Sequence, residues 1–144
     1  MVGCVLTGHG EYAKGLNSAL EMVGGPQSDF KIVCFLNEQA ADYPDILFNT
    51  IKELKDKCGE VVVFCDLVGG TPFNQSMMAS CEIGDVEVVA GCNLPMLLEC
   101  VCLRDDKTTA KSLADMAVQV GRMGVDHKVL NVVEDDGFDG EDGI

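Results

Sequence analysis

The sequence predicts a doubly wound α/β domain whose mostly parallel sheet has the strand order 2-1-3-4, flanked by helices, and three observations carry that prediction. Short apolar runs of strand length alternate along the chain with amphipathic helical stretches, the pattern that right-handed parallel crossovers require. The run EVVVFCD at Glu60–Asp66 is apolar without interruption up to its terminal acid, as a central strand covered on both faces must be. Finally, 144 residues at 47% hydrophobic composition suffice for one full core. They supply too few strong strands for a six-stranded dinucleotide fold, so the smaller order is the more economical one.

Taken in order, Val2 to Leu6 is short and apolar and reads as a buried first strand. Tyr12, Ala13, Leu16, Ala19, Leu20 and Val23 then recur at helical spacing, with Glu11, Lys14 and Glu21 turned to water, until Gly24-Gly25-Pro26 ends the helix. Phe30 to Leu36 is the second strand. Asp42 and Pro44 open a helix whose Ile46, Leu47, Thr50, Ile51 and Leu54 share a face and which Gly59 closes. After the third strand, Gly69-Gly70-Thr71-Pro72 forms a tight turn in which Thr71 can cap a helix and Pro72 can occupy its first position. That helix runs to about Ser80. Val86 to Ala90 is the fourth strand, a helix restarts at Asn93–Pro95 with Leu97, Leu98, Val101 and Cys102 inward, and Ala110 to Gly121 gives another. Lys128 to Val133 is a weak last strand, expected antiparallel at the sheet edge, so the domain is expected to span 1–133.

Composition bounds the function. The formal net charge of −14 argues against nucleic acid or an anionic membrane surface as a direct partner. Six of the 24 acidic residues fall in the last stretch, EDDGFDGEDGI at 134–144, which reads as a disordered, solubilising tail. No apolar run approaches a membrane span, and no basic region followed by a hydrophobic segment opens the chain, so a soluble cytoplasmic protein is expected. The eight cysteines contain no C-x-x-C pair and mostly sit in apolar runs, as buried thiols would; no metal site is expected.

The order 2-1-3-4 makes strands one and three neighbours at the topological switch point, where open α/β sheets bind ligands. The carboxyl ends of those strands carry His9 and Asp66. A carboxylate that accepts one ring N–H fixes the imidazole tautomer and leaves the other nitrogen's lone pair outward, a nucleophile oriented through a third group. Gly69, Gly70 and the helix turn after Thr71, together with the helix that begins after Gly10, present free backbone N–H groups at positive dipole ends, suited to a phosphoryl group. Taken alone, the glycine turn reads as no more than a sharp turn with a capping threonine. Other phosphate chemistries fit less well. Gly8-His9-Gly10-Glu11-Tyr12-Ala13 is a loose dinucleotide fingerprint, but a histidine would crowd the pyrophosphate and the nearest acid, Glu38, comes late. A flavin site would want aromatics, of which the chain has no Trp and two Tyr; the P-loop pattern is absent. No cofactor is implied. His127 reads as a surface residue.

Three stretches in register, TGHGEYAKG around His9, CDLVGGTPFN at 65–74 and VVAGCNLPMLLECVCLRDD at 88–106, resemble the IIA domain of the mannose class of the bacterial sugar phosphotransferase system. The resemblance covers roughly 1–130. It implies a phosphocarrier in which phospho-HPr donates to His9 and phospho-His9 passes the group to a histidine on a IIB subunit, which phosphorylates sugar during uptake through the membrane subunits IIC and IID. Asp66 matches the carboxylate that orients the histidine, and Thr71 stands where the family has a serine or threonine near the phosphoryl group. The resemblance further implies a homodimer that exchanges the last strand, a separate IIB polypeptide, and peripheral association with the membrane through IIB, IIC and IID. A phosphorylation-sensing regulatory domain and a dihydroxyacetone kinase phosphocarrier are alternatives on the same fold.

Overall fold

In the computed structural model, which describes residues 1–132, the apolar runs pair as four parallel strands in the order β2-β1-β3-β4. They are β1 (Gly3–His9), β2 (Phe30–Phe35), β3 (Val61–Phe64) and β4 (Val86–Val89), alternating with helices α1 (Tyr12–Gly24), α2 (Tyr43–Cys58), α3 (Thr71–Ile83), α4 (Leu94–Cys100) and α5 (Ala110–Met123). A 3-10 turn at Asn37–Gln39, which the periodicity does not signal, joins β2 to α2.

Side-chain alternation divides the interior into two layers. Cys4, Leu6, Val62 and Phe64 pack with Leu20 of α1, Leu97 of α4 and Leu113 of α5. Val5, Val61, Val63 and Cys65 pack on the other face against Tyr43, Leu47 and Ile51 of α2 and Ala79 of α3. Each such aliphatic side chain, fully buried, is worth roughly 1.5–3 kcal/mol, so the two central strands anchor the sheet. Two of the helices, α4 and α5, begin on side chains that satisfy free N–H groups. Asn93 Oδ1 accepts from Met96 N–H at α4, and Thr109 and Ser112 cap one another reciprocally at α5. Val23 and Ile46, placed inward by periodicity, lie at the rims and are exposed.

At the amino end of the sheet, Arg104 is only 7% exposed. Its guanidinium donates to the carbonyls of Val101 (3.1 Å), Asp29 (3.4 Å), Val2 and Ser28, tying the loop after α4 to the starts of β1 and β2. Beside it Lys57 pairs with Asp29 at 2.6 Å.

All eight cysteines are free thiols, with Cys4, Cys65, Cys92 and Cys100 buried. Burial pushes Cys4 and Cys92 up to about 12, and Cys65 and Cys100 up to about 11. Among the described residues, no helix is long and apolar enough to cross a membrane.

The expected last strand is not formed over 128–132, where the chain is neither strand nor helix and is exposed. A strand exists only when paired, and this segment pairs with no edge of its own sheet, all of whose strands are parallel. Val133 and the acidic stretch 134–144 lie outside the described residues.

Candidate functional site

The site forms at the carboxyl end of the sheet because β1 extends past its apolar run. It pairs with β2 as far as His9 opposite Phe35, three residues beyond the predicted end at Leu6. Gly10 N–H then donates to Phe35 O (2.8 Å), and Gly10 turns the chain into α1 with φ +57°, a left-handed conformation that costs a side-chain-bearing residue about 1 kcal/mol. On the neighbouring strand, Cys65 N–H reaches Val89 O (2.7 Å) and Gly91 N–H reaches Asp66 O (3.1 Å), so Asp66 is held although β3 itself ends at Phe64.

These two fixed backbones bring His9 and Asp66 together. Asp66 Oδ2 accepts from both the backbone N–H of His9 (2.9 Å) and its ring Nδ1 (2.7 Å), while Oδ1 accepts from Leu67 N–H (2.9 Å). Burial alone would raise the Asp66 pKa, but the hydrogen bonds from His9 and Leu67 outweigh it and hold the carboxyl below its ordinary value. Asp66 is therefore ionised at neutral pH and, as an acceptor only, selects the His9 tautomer protonated on Nδ1. Nε2 then carries a lone pair. The His9 side chain is 45% exposed against 10% for Asp66, so the imidazole reaches solvent while its partner is enclosed.

Gly70 closes one side of the ring. A β-carbon there would stand 2.6 Å from His9 Cε1 and 3.3 Å from Nε2, so the backbone of the turn approaches the imidazole as only glycine allows. Gly69 takes φ +85°. The capping differs from expectation. Gly70 is the N-cap residue of α3, with Thr71 first in the helix and Pro72 in its first turn, and no side chain caps the end. Glycine takes the cap position because the close approach to His9 leaves no room for a side chain there. Thr71, exposed, keeps its hydroxyl off the helix N–H groups.

A cleft of about 330 Å³ opens beside the ring, lined by His9, Gly10, Phe35, Leu36, Asn37 and Glu38. Residues that sequence reasoning missed complete the site. Phe35 meets the imidazole edge to face, centroids 5.7 Å apart at 70°. Gly8 is packed between Tyr12 and Asp66, since a β-carbon there would stand 2.5 Å from the Tyr12 ring and 3.1 Å from Asp66 Cγ. The Tyr12 hydroxyl donates to Cys92 O. Only the register of β1 on β2 signals Phe35, and Gly8, met in the loose dinucleotide fingerprint, gains its packing role only from the contacts with Tyr12 and Asp66. His127 is exposed, beyond the end of α5.

The arrangement can perform nucleophilic chemistry on an anion: a fixed imidazole lone pair, an orienting carboxylate, and an uncapped helix N-terminus alongside. The family model for the PTS system fructose IIA component matches residues 3–118. The chain is 32% identical over 124 residues to the PTS system mannose-specific EIIAB component of Escherichia coli strain K12, covering 86% of this chain and 38% of that protein, so it spans well under half of that relative. It is 28% identical over 106 residues to the PTS system fructose-specific EIIA component of Bacillus subtilis, covering 73% of this chain and 72% of that one. The solved structure of phosphotransferase system component EIIA from Streptococcus agalactiae superposes with a TM-score of 0.78 at 28% identity, over 88% of this chain and 97% of that chain.

Proposed function

The chain belongs to the PTS system fructose IIA component family, and on that premise we propose that it is a phosphocarrier, His9 accepting a phosphoryl group from phospho-HPr and passing it to a histidine of a IIB protein. The observation that carries this reading is the 2.7 Å contact from His9 Nδ1 to an ionised Asp66, which makes Nε2 the lone-pair nitrogen of the neutral ring on a half-exposed side chain. The Nε2 lone pair attacks phosphorus, the phosphorus–nitrogen bond of the donor breaks, and its electron pair stays on the donor imidazole. The imidazolium formed on His9 is stabilised by Asp66 through the proton it already shares. In the second step the roles reverse, with His9 as leaving group to the IIB histidine.

The transferred group is a dianion and needs donors rather than bases. The cleft lining beside His9 contains no lysine or arginine. The backbone of Gly69, Gly70 and Thr71 at the start of α3, with the Thr71 hydroxyl, and of Gly10 at the start of α1, supply N–H groups and positive dipole ends for it. In this reading the folded unit spans 1–133, IIC and IID act downstream at the inner face of the membrane, and the sugar is selected there. The exposed apolar residues Val125, Val129, Leu130 and Val132, and a groove of about 460 Å³ where Phe73, Val88 and Met96 approach the open edge of β4, support a homodimer in which 128–133 forms its strand on a second copy.

The test is incubation with phosphoenolpyruvate, enzyme I and HPr. Acid-labile, base-stable label is expected on the wild type and is expected to disappear entirely in His9→Ala. A His9→Ala protein labelled as fast as wild type would sink the reading.

A further inference from the structure

The hydrogen bond to Asp66 fixes one nitrogen of the imidazole but leaves the ring free to rock about that contact, and nearly half of the side chain faces solvent. Besides Gly70, a circuit of side chains that leaves β1 and returns to it meets the ring. Thr7, two residues before His9, projects to the same face of the strand. Its buried hydroxyl is 2.6 Å from the hydroxyl of Tyr43, the first residue of α2, which is 1% exposed. The Tyr43 ring packs on Phe35 with centroids 4.8 Å apart, and Phe35 meets His9 at 5.7 Å. Phe35 is also the register partner of His9 across the β1–β2 ladder, so both side chains point to one face and the contact is built into the pairing.

We infer that Phe35, braced by the Tyr43–Thr7 pair, is a positioning residue that holds the His9 imidazole in the orientation that sets Nε2 beside Gly70 at the start of α3. Three features support it. Aromatic edge-to-face pairs contribute about 0.5–1.5 kcal/mol beyond the area they bury, enough to restrict a half-exposed ring. Phe35 lines the cleft itself. Tyr43 is anchored at both ends, by its hydroxyl bond to Thr7 and by its packing among Val5, Val33 and Leu47, so it gives Phe35 a fixed wall. Phe35 touches the nucleophile without taking part in proton or phosphoryl transfer.

This inference rests on His9 being the nucleophile, and its test has two readouts, one of which needs no phosphoryl chemistry. Histidine ring ¹⁵N shifts of the unphosphorylated protein report the tautomer and its averaging. Phosphoramidate, a small donor that needs no docking, reports intrinsic reactivity: Nε2 displaces its nitrogen, which leaves as ammonia after taking a proton from water. Exposed His127 serves as internal reference in the same sample. Phe35→Ala is expected to let the ring swing off Asp66, which mixes the two His9 tautomers, and to slow phosphorylation of His9 relative to His127 about tenfold. Phe35→Tyr, which keeps the ring, is expected to restore both. Tyr43→Phe, which keeps the stack but cuts the bond to Thr7, is expected to shift both in the same direction by a smaller amount. If Phe35→Ala unfolds, Phe35→Leu carries the same two readouts. A single Nδ1–H tautomer with an undiminished rate in the folded Phe35 variant overturns the inference. A wild type that takes no label on His9 from phospho-HPr removes the phosphocarrier reading instead, and the tautomer measurement still decides the role of Phe35.

Discussion

The two ends of the sheet solve opposite problems with the same four strands. At the amino end, carbonyls from Val2, Ser28, Asp29 and Val101 converge on one buried cation, Arg104, and all three nitrogens of that guanidinium donate to them. At the carboxyl end Asp66 is, among the described residues, the charged group enclosed beside His9, and the donors around it, the N-termini of α1 and α3, carry no side-chain cap. One end is closed by satisfied hydrogen bonds and the other stays open with unsatisfied ones. The contrast teaches that stability and chemistry are spatially separate here, so substitutions at each end should change different observables.

The largest effect expected is at the closed end. Arg104→Met leaves four carbonyl acceptors without their donor and should lower the unfolding free energy by about 3 kcal/mol in urea titrations. The rate of His9 phosphorylation per folded molecule should stay at the wild-type value; a slower rate would show the two ends coupled and break the comparison. Next, Asp66→Ala should slow phosphoryl transfer about 100-fold, or roughly 2.7 kcal/mol of barrier, while costing the fold only about 1 kcal/mol. Full activity in that variant would show that orientation by Asp66 is unnecessary. Gly70→Ala sharpens the contrast further. Its φ of −75° is ordinary for any residue, so the added carbon acts only on the imidazole, and a roughly tenfold slower transfer with an unchanged melting temperature is expected. Acidification should have the smallest effect. Asp66 is held below the ordinary carboxylate value in the folded state, so its contribution is complete above the unfolded value of about 4 and is lost as pH falls through the lower folded value. Asp29, hydrogen-bonded by Lys57, follows the same sign at the closed end. Urea midpoints measured between pH 6 and pH 3 should therefore fall less in Asp66→Ala than in wild type.

How far the sequence could be read follows from where the deciding contacts lie. The alternation of apolar runs and amphipathic stretches encodes strands and helices locally, and from the order 2-1-3-4 it follows that His9 and Asp66 end adjacent strands. The cap of α3 lies at Gly70, one residue before Thr71, and glycine and threonine both suit that position; the choice is made by the His9 ring, 61 residues away in sequence and touching Gly70 in space. Phe35, Tyr43 and Thr7 come from three elements and share no spacing that a linear scan can weigh. Arg104 sits in LRDD, which reads as a solvated loop until the chain closes over it. The stretch 128–132 has strand composition, yet composition cannot supply the edge it must pair with.

The cysteines give the fold a clock. Cys4, Cys65, Cys92 and Cys100 are buried among the two layers, with thiols pushed up to about 11 or 12, so alkylating reagents meet neither an accessible nor an ionised sulfur at neutral pH. Exposed Cys81 should react at once and mark zero time. Half-buried Cys34, Cys58 and Cys102 follow, and each modification of a buried thiol then records an opening of its own layer, Cys65 on the α2–α3 side and Cys4, Cys92 and Cys100 on the other. A timed thiol pulse read by mass spectrometry would thus reveal whether the two faces of the sheet breathe together or in sequence, without introducing a single probe.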